Sequence, residues 1–173
     1  MARPSGTQRP KKAAELPLPV IETNAEHAGS KAKVRQLKIK NYGCISEEIV
    51  IELDNIVVLV GPNNSGKSTI LKAYEIAMGG KDEHELQKDE FYEGKLSMPP
   101  CITLETQVPS ERKPSQRWLD PKDNLTIRER WIWNSEKGKL VREGFDFEKG
   151  NFCKEVPYGA NNVSNAHRPK PHR

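Results

Sequence analysis

The sequence predicts an α/β fold, and three neighbouring features carry that prediction. The stretch VGPNNSGKST, Val60–Thr69, has the form G-x-x-x-x-G-K-S of a loop that binds phosphate. The stretch IVVLV, Ile56–Val60, is continuously apolar and largely β-branched, which is typical of a strand covered on both faces. After the loop, apolar residues recur at the spacing of one helix face. A buried strand that enters such a loop, and a helix that leaves it, predict an α/β arrangement.

Residues 1–33 are expected to be a disordered basic arm. The stretch MARPSGTQRPKKAA at its start carries four basic residues and no acid, with proline and glycine scattered through it. Neither the helical period nor the strand period is present, so we predict no regular structure there. A solvated tail is the favoured interpretation; contact with nucleic acid and a targeting role stay open as alternatives.

Two further strands are predicted ahead of the buried one. The first begins near Val34, and its apolar side is formed by Leu37 and Ile39. The stretch IVIEL alternates in the same way, and the Asp54-Asn55 pair after it marks a turn.

The helix after the loop is predicted from its apolar face and its end. Gly79-Gly80 follows the last apolar position, as expected of a glycine at a helix C-terminus. The predicted face consists of Ile70, Leu71, Tyr74, Ala77 and Met78.

A region of antiparallel strands is predicted behind the helix. CITLETQV alternates as a strand, and LTIRERWIW and LVREGFDFE flank a short turn containing Gly138, which predicts a β-hairpin. From about Phe152 the pattern fades. We therefore predict an ordered domain over residues 34–150 and a flexible tail over residues 151–173.

Composition excludes several classes of protein. The net charge of +4 on 173 residues is mildly basic and mixed, so it does not by itself indicate a nucleic-acid surface. The three cysteines are odd in number and widely spaced, which indicates neither a disulfide framework nor a zinc site. No apolar run reaches the roughly 18 residues of a membrane span. These observations favour a cytoplasmic protein with no membrane partner.

Each residue of the loop has a predicted task in holding Mg-ATP. Gly61 and Gly66 allow backbone angles that a side chain disfavours, and the N–H groups from Asn63 to Thr69 are expected to surround the phosphates. Lys67 is predicted to reach the β- and γ-phosphates, and is the candidate catalytic residue. The hydroxyl of Ser68 is predicted to bind Mg²⁺, because hard cations prefer oxygen ligands. The predicted nucleotide-binding residues are Gly61, Pro62, Asn63, Asn64, Ser65, Gly66, Lys67, Ser68 and Thr69, of which Thr69 either caps the helix or contacts the α-phosphate.

The stretch from Leu37 to Gly80 resembles the N-terminal lobe of ABC-type P-loop ATPase heads. It is most similar to the branch that contains RecF, the SMC and DNA-repair heads, and the ATPases of the OLD (overcoming lysogenization defect) nucleases. A first strand ending in Asn41-Tyr42, a loop containing Pro62-Asn63-Asn64-Ser65 and a later DEFYEG stretch carry this resemblance. The resemblance implies an AAA ATPase of the OLD/RecF-like group in which ATP binds between two heads, with DNA as the downstream substrate in repair or anti-phage defence.

The chain departs from the pattern of that branch at two positions. Where the branch often carries Arg or Lys, this chain has Gly43, which leaves a contact from that position to the nucleotide in doubt. Gln107 is open between two interpretations: a glutamine that senses Mg²⁺ and the γ-phosphate, or a strand residue that faces water.

Two motifs of the full ATPase head are missing after Thr69. No stretch has the Walker B form, an apolar run followed by an acid for Mg²⁺ and an acid for the attacking water. A signature helix is also absent, so the sequence predicts an incomplete ATPase head.

Two functions follow from these observations. The first is an ATP-binding lobe whose hydrolysis requires a second head, or a chain that supplies the Walker B and signature motifs. The alternative is a nucleotide-dependent interaction module without turnover of its own. A small kinase and a GTPase fit less well, because strands follow the helix and no N/T-K-x-D motif is present.

Overall fold

The computed structural model describes residues 31–158, and an antiparallel sheet is its largest feature. The strands are β1 (Lys33–Lys40), β2 (Ile49–Glu52), β3 (Glu83–His84), β4 (Cys101–Gln107), β5 (Thr126–Asn134), β6 (Lys139–Asp146) and β7 (Asn151–Cys153). Their order is β2-β1-β4-β5-β6-β3, and β7 also pairs with β6. One helix, α1 (Lys67–Met78), lies between β2 and β3 in the chain. The predicted basic arm lies outside the described residues apart from its last three positions.

The core forms where α1 packs on one face of the sheet. Leu37 and Ile39 of β1 point to this face, as their alternation predicted, and Ile102 and Leu104 of β4 lie beside them in register. From α1 the buried residues are Ala73, Ile76 and Ala77, with Ile70, Tyr74 and Met78 partly buried. Small side chains on α1 let the helix lie close to the sheet, so the beginning of α1 is held against the end of β1.

The hairpin predicted from sequence is confirmed. β5 and β6 pair in antiparallel register, and Gly138 lies in the turn between them with φ of +64°. That left-handed conformation is one that glycine adopts without strain.

The prediction that Ile56–Val60 forms a buried strand is wrong. This segment belongs to no strand in the described structure, and the exposed fractions are 84% for Ile56, 75% for Val58 and 88% for Val60. Val57 and Leu59 face the other way and line an apolar groove against β1, β2 and α1. The segment therefore keeps the alternation of a strand but has no neighbouring strand to pair with. Covering both of its faces requires a layer that residues 31–158 do not supply.

The prediction of a flexible tail from residue 151 is wrong for its first residues, 151–158. Residues 151–153 form β7, and Cys153 and Tyr158 pack against a second small core. That core consists of Val108, Trp118, Leu119 and Ile127. Strand β7 was not predicted, because three residues are too few to show the two-residue alternation of a strand. The rest of the predicted tail, from residue 159, lies outside the described residues.

Candidate nucleotide-binding site

The glycine-rich loop turns sharply at the beginning of α1. Gly66 precedes the first helical residue with φ of +89° and ψ of 2°, and Asn64 also has a positive φ of 66°. Gly61 lies so close to Ser65 that an added Cβ would stand 2.8 Å from the Ser65 hydroxyl oxygen. The local sequence thus folds residues 61–66 into a tight loop whose open side faces solvent.

The loop presents a set of backbone donors at the N-terminus of α1. Ser65 donates its N–H to the Pro62 carbonyl at 3.3 Å, and Ile70 donates to Gly66 at 2.9 Å. Within residues 63–69, the N–H groups of the six other positions have no backbone acceptor among the described residues: Asn63, Asn64, Gly66, Lys67, Ser68 and Thr69. Free N–H groups together with the positive end of the helix dipole make this end of α1 suited to an anion.

Lys67 lies across the loop. Its ammonium donates to the carbonyl oxygens of Gly61 at 2.7 Å and Pro62 at 2.6 Å, and lies 3.3 Å from the Ser65 hydroxyl. These bonds hold the positive charge against residues 61–65 of the same loop that carries the free N–H groups. A phosphate entering the loop would meet both.

Ser68 and Thr69 lie on the first turn of α1 and differ in their contacts. Ser68 is exposed, and its hydroxyl has no hydrogen bond among the described residues. The Thr69 hydroxyl lies 3.4 Å from the Cys44 sulfur, and no side chain caps the helix. The capping role that we considered for Thr69 is therefore wrong, whereas its contact with a phosphate stays a prediction.

The glycine at position 43 has a packing reason. Gly43 has φ of +55°, and an added Cβ would stand 2.8 Å from Thr69 Cγ2. A residue with a side chain at this position would be strained by the positive φ and would have to push the Thr69 side chain aside. The close approach of the β1–β2 connection to α1 thus explains why glycine, and not a basic residue, suits position 43.

A cavity of about 620 Å³ opens beside Ser68 and Thr69. Its walls come from three segments that are distant in sequence: the β1–β2 connection, the first turn of α1 and residues 89–94. The lining residues are Tyr42, Gly43, Cys44, Ser68, Thr69, Lys72, Asp89, Glu90, Phe91, Tyr92, Glu93 and Gly94. The volume falls within the roughly 300–1,000 Å³ typical of ligand sites.

Several of these wall residues were not predicted as site residues. The DEFYEG stretch was noted for its resemblance to related ATPases, and the pattern of acids beside aromatics was the signal available in it. No sequence pattern indicated that Lys72 is a site residue, because a lysine on a helix surface is usually solvated.

Gln107 lies away from the loop. It pairs with Lys33 at the beginning of β1, whereas Lys40 pairs with Cys101 at the end that leads to Gly43. Lys33 and Lys40 are seven positions apart along β1, which corresponds to about 23 Å at strand rise. Arg35 also donates to the Gln107 side chain. The structure therefore favours the strand-residue interpretation over a role in sensing the γ-phosphate.

The AAA ATPase domain family matches residues 33–151, which is most of the chain. The chain belongs to this family. The predicted fold class, an incomplete P-loop NTPase lobe with an antiparallel β region, is confirmed, although the segment that enters the loop, residues 56–60, forms no strand.

Relatives of known name agree with the resemblance inferred from sequence. The OLD nuclease of Thermus scotoductus is 39% identical over 46 residues, which is 27% of this chain and 8% of that protein. The DNA repair protein RecN of Bacillus subtilis is 30% identical over 112 residues, which is 61% of this chain and 19% of that protein. The chain thus spans less than a fifth of either relative.

A solved structure from work on ATP-driven dimerization and DNA-stimulated activation of SMC ATPases is also similar. It superimposes with a TM-score of 0.45 at 15% identity, covering 78% of this chain and 76% of that one.

Within residues 31–158, no helix combines the length and the apolar composition needed to cross a bilayer. Over the same residues, no group of three or more His, Cys, Asp or Glu side chains is placed to hold a metal ion.

Proposed function

We propose that the chain binds Mg-ATP as the P-loop lobe of an OLD/RecF-like AAA ATPase. The observation that carries the proposal is the tight loop at the N-terminus of α1, in which backbone N–H groups without a backbone acceptor and the Lys67 ammonium lie together. Membership of the AAA ATPase domain family supports ATP as the nucleotide.

The cavity beside the loop supports a nucleotide rather than a simple phosphate. It begins at Ser68 and Thr69, so a ligand whose phosphates lie in the loop would extend its base and ribose into this space. Aromatic and acidic side chains in the wall, such as Tyr92 and Asp89, offer surfaces for a base and for ribose hydroxyls.

Magnesium fits the chemistry of the first turn of α1. The Ser68 hydroxyl is an exposed oxygen without a hydrogen-bond partner among the described residues, and Mg²⁺ is bound in such sites by one or two protein oxygens plus phosphate oxygens and water. Ser68 would hold the ion and Lys67 would orient the phosphates, and Mg²⁺, when bound, would supply the positive charge that neutralises them.

Hydrolysis by this lobe is proposed to need a second ATPase head or a segment that supplies the Walker B and signature motifs. Ile56–Val60 supports this, because it leads straight into Gly61 yet leaves one apolar face and its backbone uncovered. The occupant that we propose is an apolar strand from that second lobe, which would pair with the segment and bring an acid toward the loop.

A link to DNA repair is proposed from the names of the relatives, and anti-phage defence and a cytoplasmic location are proposed from the sequence. RecN is named as a DNA repair protein, and the OLD protein as a nuclease. DNA is therefore the proposed downstream substrate of the assembled ATPase.

Calorimetric titration of the chain with ATP and Mg²⁺, with hydrolysis assayed on the same sample, tests the proposal. We expect binding by the unaltered chain, loss of binding in Lys67→Ala and negligible turnover. The matched control is Lys113→Ala, which removes an exposed lysine with no ion pair among the described residues. Unchanged ATP affinity in Lys67→Ala would contradict the proposal.

The same experiment separates the two functions inferred from sequence. Turnover that appears when a companion head is added supports an ATPase lobe. Binding without turnover in every combination tried supports the nucleotide-dependent interaction module instead.

A further inference from the structure

A hydrogen-bonded clamp joins the β1–β2 connection to the wall of the cavity. The Tyr42 hydroxyl donates to Glu90 Oε1 at 2.7 Å, and the N–H of Gln87 donates to Glu90 Oε2 at 2.8 Å. Gly43 donates its N–H to the Glu90 carbonyl at 2.8 Å. Glu90 is thus bound through both carboxylate oxygens and its backbone oxygen.

The clamp is buried at its centre. Tyr42 is 1% exposed, and Phe91, next to Glu90, is 4% exposed and packs edge-on against Trp133 at 4.7 Å between ring centroids. Burial, with the hydrogen bond to Glu90 next, raises the pKa of the Tyr42 phenol far above its usual range. The phenol therefore stays protonated and keeps donating to the carboxylate.

The clamp connects the wall of the cavity to the phosphate loop. Gly43, the neighbour of Tyr42, lies close enough to the first turn of α1 that an added Cβ would stand 2.8 Å from Thr69 Cγ2. On the other side, Glu90 begins the Glu90–Gly94 stretch that lines the cavity. Tyr42 and Glu90 thus join this wall to the beginning of α1. Both also line the cavity, but the Tyr42 hydroxyl and both Glu90 carboxylate oxygens already hold hydrogen bonds within the clamp.

We propose that Tyr42 and Glu90 are positioning residues that fix residues 89–94 as the wall against which the nucleoside part of the nucleotide binds. The proposal rests on the proposed function, since it takes the phosphates to lie in the loop at Lys67. It adds that the clamp sets the preference for a nucleoside triphosphate over a bare phosphate chain. The phosphate loop itself does not depend on it.

Comparing Mg-ATP with magnesium tripolyphosphate by calorimetry separates the two parts of the site. We expect the unaltered chain to bind ATP more tightly than tripolyphosphate. Losing the hydrogen bonds of the clamp in Tyr42→Phe or Glu90→Ala should weaken ATP binding about tenfold and tripolyphosphate binding less than about twofold. Lys67→Ala should weaken both ligands.

Three controls distinguish positioning from a general role in folding. Tyr74→Phe removes a phenol hydroxyl that has no hydrogen bond among the described residues, and Glu111→Gln removes an exposed charge outside the cavity. Both should leave the ratio of the two affinities unchanged. Glu90→Gln keeps the side-chain volume and one acceptor oxygen, and should restore part of the ATP affinity lost in Glu90→Ala.

Hydrogen exchange on the unaltered chain tests the proposal without any mutation, so misfolding of a variant cannot affect the result. ATP should slow amide exchange in residues 89–94, whereas tripolyphosphate should slow exchange in residues 63–69 alone. Equal affinity for the two ligands, or parallel weakening of both in folded Tyr42→Phe, would overturn the clamp proposal and leave phosphate binding standing. Binding of neither ligand by the unaltered chain would overturn the proposed function as well.

Discussion

At the scale of single residues, the buried Arg142–Glu129 pair should matter more than any ion pair on the outer face of the sheet. Arg142 donates to Glu129 at 2.7 Å with side chains 1% and 3% exposed, whereas Arg130 and Glu143 pair at the same distance with 28% and 19% exposed. Arg142→Met leaves a buried carboxylate unpaired, so we expect the free energy of unfolding in urea to fall by about 3–5 kcal/mol. The matched Arg130→Met should cost about 0–1 kcal/mol. Equal losses would show that the burial of the Arg142 pair carries no energetic consequence.

At the scale of elements, Asp123 fixes the beginning of β5 and ties its stability to pH. Burial by itself would raise the pKa of Asp123, but hydrogen bonds from the Thr126 hydroxyl and from the N–H groups of Leu125 and Thr126 lower it on balance. Because the folded pKa is depressed, this stabilisation is present above the unfolded value of about 3.9 and is lost as pH falls through the folded value. Thermal melts should show Asp123→Asn less stable than the unaltered chain at pH 7, with the gap beginning to close only as pH falls below about 3.9. Asp89→Asn, which removes no hydrogen bond among the described residues, should give melts like the unaltered chain at both pH values; a constant gap for Asp123→Asn would refute the linkage.

At the scale of the whole molecule, the uncovered Ile56–Val60 segment should make the chain by itself self-associate. Burying a side chain such as Val58 or Val60 contributes about 1.5–3 kcal/mol relative to leaving it in water, so these faces favour contact between copies. Sedimentation velocity should show concentration-dependent association that Val58→Lys reduces. Leu96→Lys removes an apolar side chain that is 66% exposed elsewhere, and should leave the association unchanged. Identical sedimentation of Val58→Lys and the unaltered chain would exclude the segment as the contact surface.

The local parts of the site were predictable, and the parts built from distant segments were not. The loop and α1 follow from residues next to one another in sequence, and so does the β5–β6 hairpin around Gly138. The cavity wall from Glu90 to Gly94 meets the loop through Tyr42 and Thr69. The sequence pattern of any one segment cannot predict this contact, because the contact depends on how the β1–β2 connection packs against α1.

What the sequence by itself determined is the order of strand-like, loop and helical segments, the phosphate-loop residues proposed to hold Mg-ATP, and the family to which the chain belongs. The tertiary structure alone decided which apolar segments are buried. Leu37 and Ile56 are both apolar residues in segments of strand period, yet β4 and α1 cover Leu37 while the described residues leave Ile56 exposed. Periodicity is a property of one segment, whereas burial requires a second surface. The segment beside the loop therefore kept its strand-like alternation, while the described residues supply no second surface that covers both of its faces.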